Sequence, residues 1–144
     1  MESDYHKKRY EEYAAFGLPL EQTLKPVLEK CVGSALVKTA STTDTADFCY
    51  EGGYAELKCR RPHHQKEDYA CWVFPVDKVL KGIVEEKPVR IFYYWDSDKS
   101  LYYIDYSENL FFDSKKIPEP DYFPGSSQKH FWIPQYLWKR VNWR

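Results

Sequence analysis

Apolar and polar positions alternate through "DFCYEGGYAELKCR", residues 47–60, around a pair of glycines, the signature of a β-hairpin. "VRIFYYW" and "LYYIDYS" flank the turn "DSDKS" and predict a second hairpin. Between Leu18 and Val32 the period changes, and Leu20, Leu24, Val27, Leu28 and Cys31 follow helical spacing. Pro26 is expected to kink or restart that helix, and Gly33 to stop it. A short charged helix over roughly 4–16 precedes it, ending near Gly17. "SALVKTA" (34–40) reads as a strand, followed by a polar loop at 41–45. "RPHHQKED" (61–68) is a loop, "YACWVFP" (69–75) a strand, and "VDKVLKG" (76–82) a short helix closed by its glycine. After Asn109 prolines punctuate the chain, and the final "KHFWIPQYLWKRVNWR" is basic and holds three of the five tryptophans. Helices first, then strands with a small helix inserted, predict an α/β (α+β) sheet domain. No repeat is present, so the expectation is one domain over 1–144, with a core at 18–106 and a proline- and aromatic-rich C-terminal extension at 107–144.

The first hairpin carries the candidate chemistry. With Gly52 and Gly53 as a primed two-residue turn, Asp47 falls opposite Lys58 and Cys49 opposite Glu56. Asp47, Glu56, Lys58 and Arg60 then share one face, and Phe48, Tyr50, Ala55 and Leu57 the apolar one.

Composition narrows the class. At 144 residues, 43% hydrophobic and 18% aromatic, the chain has enough apolar surface for its own core. A net charge of −1 argues against a general polyanion binder but leaves room for a local basic patch. No apolar run approaches the roughly 20 residues that span a bilayer, and "MESDYHKKRYEEY" lacks a signal peptide's apolar centre. The expectation is a cytoplasmic protein with no membrane partner, or a nuclear one in a eukaryote. Cys31, Cys49, Cys59 and Cys71 are then expected as reduced thiols, and Cys59, His63, His64 and Cys71 match no common zinc spacing.

Two carboxylates brought together across a hairpin can hold a hard divalent cation. A lysine two positions beyond the second acid can orient or help deprotonate a water and stabilise charge on a phosphate. Asp47 followed by Glu56-Leu57-Lys58, after a helix and a strand, resembles the PD-(D/E)XK nuclease superfamily, with spacing near that of archaeal-type Holliday junction resolvases. The resemblance covers about residues 18–106. It implies a restriction endonuclease-like mixed β-sheet flanked by helices, with an αβββαβ core. It implies a metal-dependent deoxyribonuclease in which Asp47, Glu56 and the Leu57 carbonyl bind Mg²⁺ or Mn²⁺ and Lys58 serves the hydrolytic water. DNA is the implied partner, and small nucleases of this type often dimerise to cut two strands. The sequence departs from the pattern at Ala46, where a proline often stands.

Other positions compete for supporting roles. An acid on the first helix often completes such a site; Glu21 leads over Glu29, since it precedes the Leu24/Leu28 stripe by one turn. Asp44 rivals Asp47 from the loop. Arg60 and Arg61 are candidate phosphate contacts, and Lys78 could reach a phosphate at the edge of the cleft, although an exposed lysine is the plainer reading. Gln65 and Tyr69 match the QxxxY pattern of an exonuclease-type branch, which belongs on a helix, whereas the local reading puts Gln65 in a loop. Phe131, Trp132, Tyr136, Trp138 and Trp143, interleaved with Lys129, Lys139, Arg140 and Arg144, could stack bases or pack on the sheet. Asp96 and Asp98 read as turn residues, and His6, His63, His64 and His130 pair with no evident nucleophile. The contrasting function is a non-catalytic nucleic-acid-binding or inhibitor/immunity-type module on the same fold.

Overall fold

The computed structural model describes residues 4–39, 47–106 and 119–144; the expected loop at 41–45, with Asp44 and Ala46, and the stretch 107–118, with Asn109, lie outside them. The chain forms two compact units, Met1–Ala35 and Leu36–Arg144, and is of mixed α+β class.

The first unit is helical: α1 (Asp4–Glu12), a π-helical turn (Tyr13–Gly17) and α2 (Leu18–Val32). Two expected breaks do not interrupt it. Gly17 keeps right-handed helical angles, φ −68° and ψ −44°, and α2 runs through Pro26. Gln22, whose carbonyl loses its i+4 donor at Pro26, is exposed like the proline itself. Glu21, Leu24 and Leu28 are buried along α2. Gly33 ends the helix as expected, at φ 74°, its N–H donating to the Glu29 carbonyl at 2.9 Å.

Among the described residues the second unit carries two sheets. The strands are β1 (Val37–Lys38), β2 (Phe48–Tyr50), β3 (Gly53–Arg60), β4 (Cys71–Pro75), β5 (Val89–Trp95), β6 (Ser100–Tyr106), β7 (Asp121–Tyr122), β8 (Lys129–Pro134) and β9 (Lys139–Val141), with helix α3 (Leu80–Glu85) before β5. Six strands form a mixed sheet in the order β1-β2-β3-β5-β6-β9, in which only β3 and β5 run parallel. The other three form an antiparallel sheet, β4-β8-β7. The β5–β6 hairpin forms as expected, Trp95 facing Ser100. Helix α3 runs past Gly82, which is buried inside it, and stops at Glu86 in a left-handed conformation (φ 55°).

The first hairpin differs from its expected register. Tyr50 pairs with Gly53, Cys49 with Tyr54 and Phe48 with Ala55, so the turn is Glu51-Gly52 and neither residue takes a positive φ. Gly53 opens β3 instead, because a Cβ there would stand 2.3 Å from the Pro88 carbonyl oxygen. Sliding the turn by one residue moves each strand by one, so facing partners change while the two faces keep their membership.

The core lies between the sheets. Trp72 of β4 stands 5.3 Å from Tyr93 and 5.0 Å from Trp95, ring centre to ring centre, and Trp138 packs 5.4 Å from Trp72. Phe74, Phe131 and Ile133 join Tyr54, Val89, Ile91 and Ile104 in the same buried cluster. The tail therefore contributes Phe131 and Trp138 to packing, while Tyr136 is exposed. Among the described residues no helix is long and apolar enough to cross a membrane.

Candidate metal centre

Strand β3 sets the face on which the charges stand. In parallel register Glu56 lies beside Ile91, Lys58 beside Tyr93 and Arg60 beside Trp95. That is the face the second sheet covers, so the charged face is not an open, wet surface. Glu56 is only 6% exposed, and Lys58 and Arg60 are half-buried.

Asp47, just before β2, reaches the same place. Its N–H donates to the Glu56 carboxylate at 2.5 Å, and its own carboxylate accepts the Leu57 N–H at 3.0 Å. The Asp47 carbonyl accepts the Thr39 N–H at 2.9 Å, which fixes the residue against the end of β1. A strand residue's N–H and C=O face the same neighbour, so the Leu57 carbonyl lies on the strand edge that Asp47 occupies.

The pair is electrostatically loaded. Burial first, and the Asp47 carboxylate second, push the Glu56 carboxyl well above the usual carboxylate range. The Lys78 ammonium and the Asp47 N–H oppose that rise. Lys38 of β1 stands 3.7 Å from the Asp47 carboxylate, whose side chain is 17% exposed. Lys38 carried no special signal in the sequence beyond its place in a strand, and Lys78 acts on Glu56 from the turn Val76–Val79.

Lys58 shares the Glu56 face, and its charge is felt by His64 and His130, helping to hold both imidazoles below their ordinary value after burial, the larger cause. Arg60 is held by rings: its guanidinium lies 5.4 Å from the Tyr69 ring centre and 5.9 Å from that of Trp95. Its Nε is buried without a hydrogen-bond partner. Arg61 follows, half-buried.

The remaining candidates sort as follows. Glu21 and Glu29 belong to the helical unit, where Glu21 is buried and Glu29 half-buried. Gln65 precedes a 3-10 turn (Lys66–Asp68) and Tyr69 follows it, so QxxxY does not lie on an α-helix. Asp98 is a turn residue, its carboxylate accepting the Ser100 N–H at 3.1 Å, and Asp96 ends the hairpin with its N–H on the Arg60 carbonyl. Among the described residues no disulfide forms, and no three His, Cys, Asp or Glu side chains converge. Family models, curated proteins and solved structures contain no match to this chain.

Proposed function

We propose that this chain is a metal-dependent nuclease that hydrolyses phosphodiester bonds of DNA, of the PD-(D/E)XK type its hairpin resembles. The observation that carries the reading is the Asp47–Glu56 pair, two acids tied together through the Asp47 and Leu57 amides, with burial first and the Asp47 carboxylate second raising Glu56. Such a pair favours a shared proton or a bound cation over two bare charges. Hard oxygen donors suit Mg²⁺ or Mn²⁺, and the Leu57 carbonyl lies on the same strand edge. When bound, the ion supplies Lewis acidity and a more acidic water.

The other groups then have distinct tasks. Lys58, on the Glu56 face of β3, positions the water and stabilises charge developing on the phosphate. Lys78 offsets the acids' charge, and Arg60 and Arg61 meet the backbone, giving placement rather than sequence choice. The chain order α2, β1, β2, β3, β4, α3, β5, with β4 set apart in the second sheet and the rest in a mixed sheet, supports a restriction endonuclease-like core.

One observation favours a second reading. Glu56 is buried and both carboxylates already have backbone partners, as in a purely structural clamp of a non-catalytic module. The deciding experiment incubates the protein with supercoiled, linear and branched DNA in magnesium, manganese or EDTA. Metal-dependent cutting that falls roughly 10²–10³-fold in Glu56→Gln and in Lys58→Ala supports the nuclease. Folded wild-type protein that cuts none of these substrates leaves the module.

A further inference from the structure

The segment that follows Lys58 gathers cations and aromatic rings, and the nuclease reading leaves its two adjacent histidines without a role. His64 Nδ1 lies 2.7 Å from the Tyr69 hydroxyl, the Tyr69 ring lies 5.8 Å from Trp95, and Arg60 stacks on both rings. The His63 ring stands 4.0 Å from His64. The groups whose charge acts on His64 are Arg60, His63, Arg61 and Lys58, with no carboxylate among them. The nearby acids Glu67 and Asp98 are both engaged by Lys66.

We propose that Arg60, Arg61, His64 and Tyr69 form a subsite for a backbone phosphate of the nucleic acid, beyond the point of cutting; this rests on the nuclease reading. In the neutral tautomer with its proton on Nε2, the His64 Nδ1 accepts the Tyr69 O–H and the Nε2–H donates outward to the phosphate. Arg60 lies beside two rings, and its described partners are the Tyr69 and Trp95 rings and the Tyr93 hydroxyl, none of them a carboxylate. A guanidinium so restrained loses little freedom on gripping a phosphate with two parallel bonds. Arg60 is four residues past Glu56 on β3, roughly 13 Å along the strand.

The test measures binding of a fluorescein-labelled single-stranded oligonucleotide in EDTA across a range of salt concentrations. Arg60→Gln is expected to weaken binding severalfold and to flatten the log–log salt slope by about 0.7. His64→Ala weakens binding severalfold at every salt concentration, and Tyr69→Phe, which keeps the ring beneath Arg60, does so to a smaller extent. His64→Ala lies on a loop and remains the readout should Arg60→Gln fail to fold. Unchanged affinity and slope in both variants overturns the subsite. Binding of inorganic pyrophosphate without binding of the oligonucleotide also overturns it, assigning the cluster to a free phosphate ligand. Binding through these residues without cutting supports the subsite and sinks only the nuclease reading; cutting with binding indifferent to every variant sinks only the subsite.

Discussion

Asp47 and Glu56 hold each other through the main chain: the amide of the first meets the carboxylate of the second, and the carboxylate of the first meets the amide next to the second. The arrangement is reciprocal, so neither acid can turn away without releasing a buried polar group of its neighbour. Such release costs on the order of 1–3 kcal/mol for each group left unpaired.

Glu56 gives the pair a pH signature. Its folded value is raised, so the folded state keeps a proton that the unfolded chain releases, and stability falls as pH rises from the unfolded value toward the folded one. Below the unfolded value the residue makes no difference. Glu56→Gln is expected to abolish that decline and to be at least as stable as wild type at pH 7. Magnesium should raise the melting temperature of wild type at neutral pH and leave Glu56→Gln unchanged. Urea or thermal unfolding from pH 4 to 8, with and without the metal, measures both.

The two lysines separate by what they change. Lys58→Ala should lower the rate at saturating metal by about 10²-fold with little loss of stability. Lys78→Gln removes the ammonium that holds Glu56 down, so the acid keeps its proton to higher pH. The acid limb of the pH–rate profile should then move upward. Profiles of both variants in magnesium, beside wild type, provide the check.

The two glycines of the first hairpin should differ sharply on substitution. Gly53→Ala drives a Cβ into the Pro88 carbonyl and crowds the bond from the Tyr54 N–H to that same oxygen, 2.9 Å. A loss of about 1–3 kcal/mol in urea denaturation is expected. Gly52→Ala meets only the edge of the Tyr50 ring at 2.8 Å, which can swing aside, so a smaller loss is expected.

Tyr54 ties β3 to α3. Its hydroxyl donates to the Glu85 carboxylate at 2.5 Å, and that bond, with burial, pushes the phenol up to about 12. Tyr54→Phe should cost about 1 kcal/mol. Hydrogen exchange should show the end of α3 opening more readily in the variant.

Local signals and non-local ones had different fates. The β5–β6 hairpin and the Gly33 stop were legible because apolar runs and turn residues lie next to each other in sequence. The grouping of Asp47, Glu56 and Lys58 on one face was also legible, since alternation survives a turn that slides by one residue. The turn itself was misread because Gly53 answers to Pro88, a contact that no neighbouring residue announces. The cover over the Glu56 face was not legible for a related reason: alternation describes one strand, whereas Trp72 and Phe131 arrive from β4 and β8 to cover it. Lys78 reached the acids by the same non-local route.

Assembly of the second unit has a built-in sequence in time. The acids are nine residues apart and meet by closing one hairpin, while Trp72 finds Ile133 across about 60 residues of chain. Short loops close before long ones, so the carboxylates come together while water still surrounds them, and the lid of tryptophan and phenylalanine descends afterwards. An ion present during synthesis would thus meet an open, hydrated pair of ligands rather than a finished one.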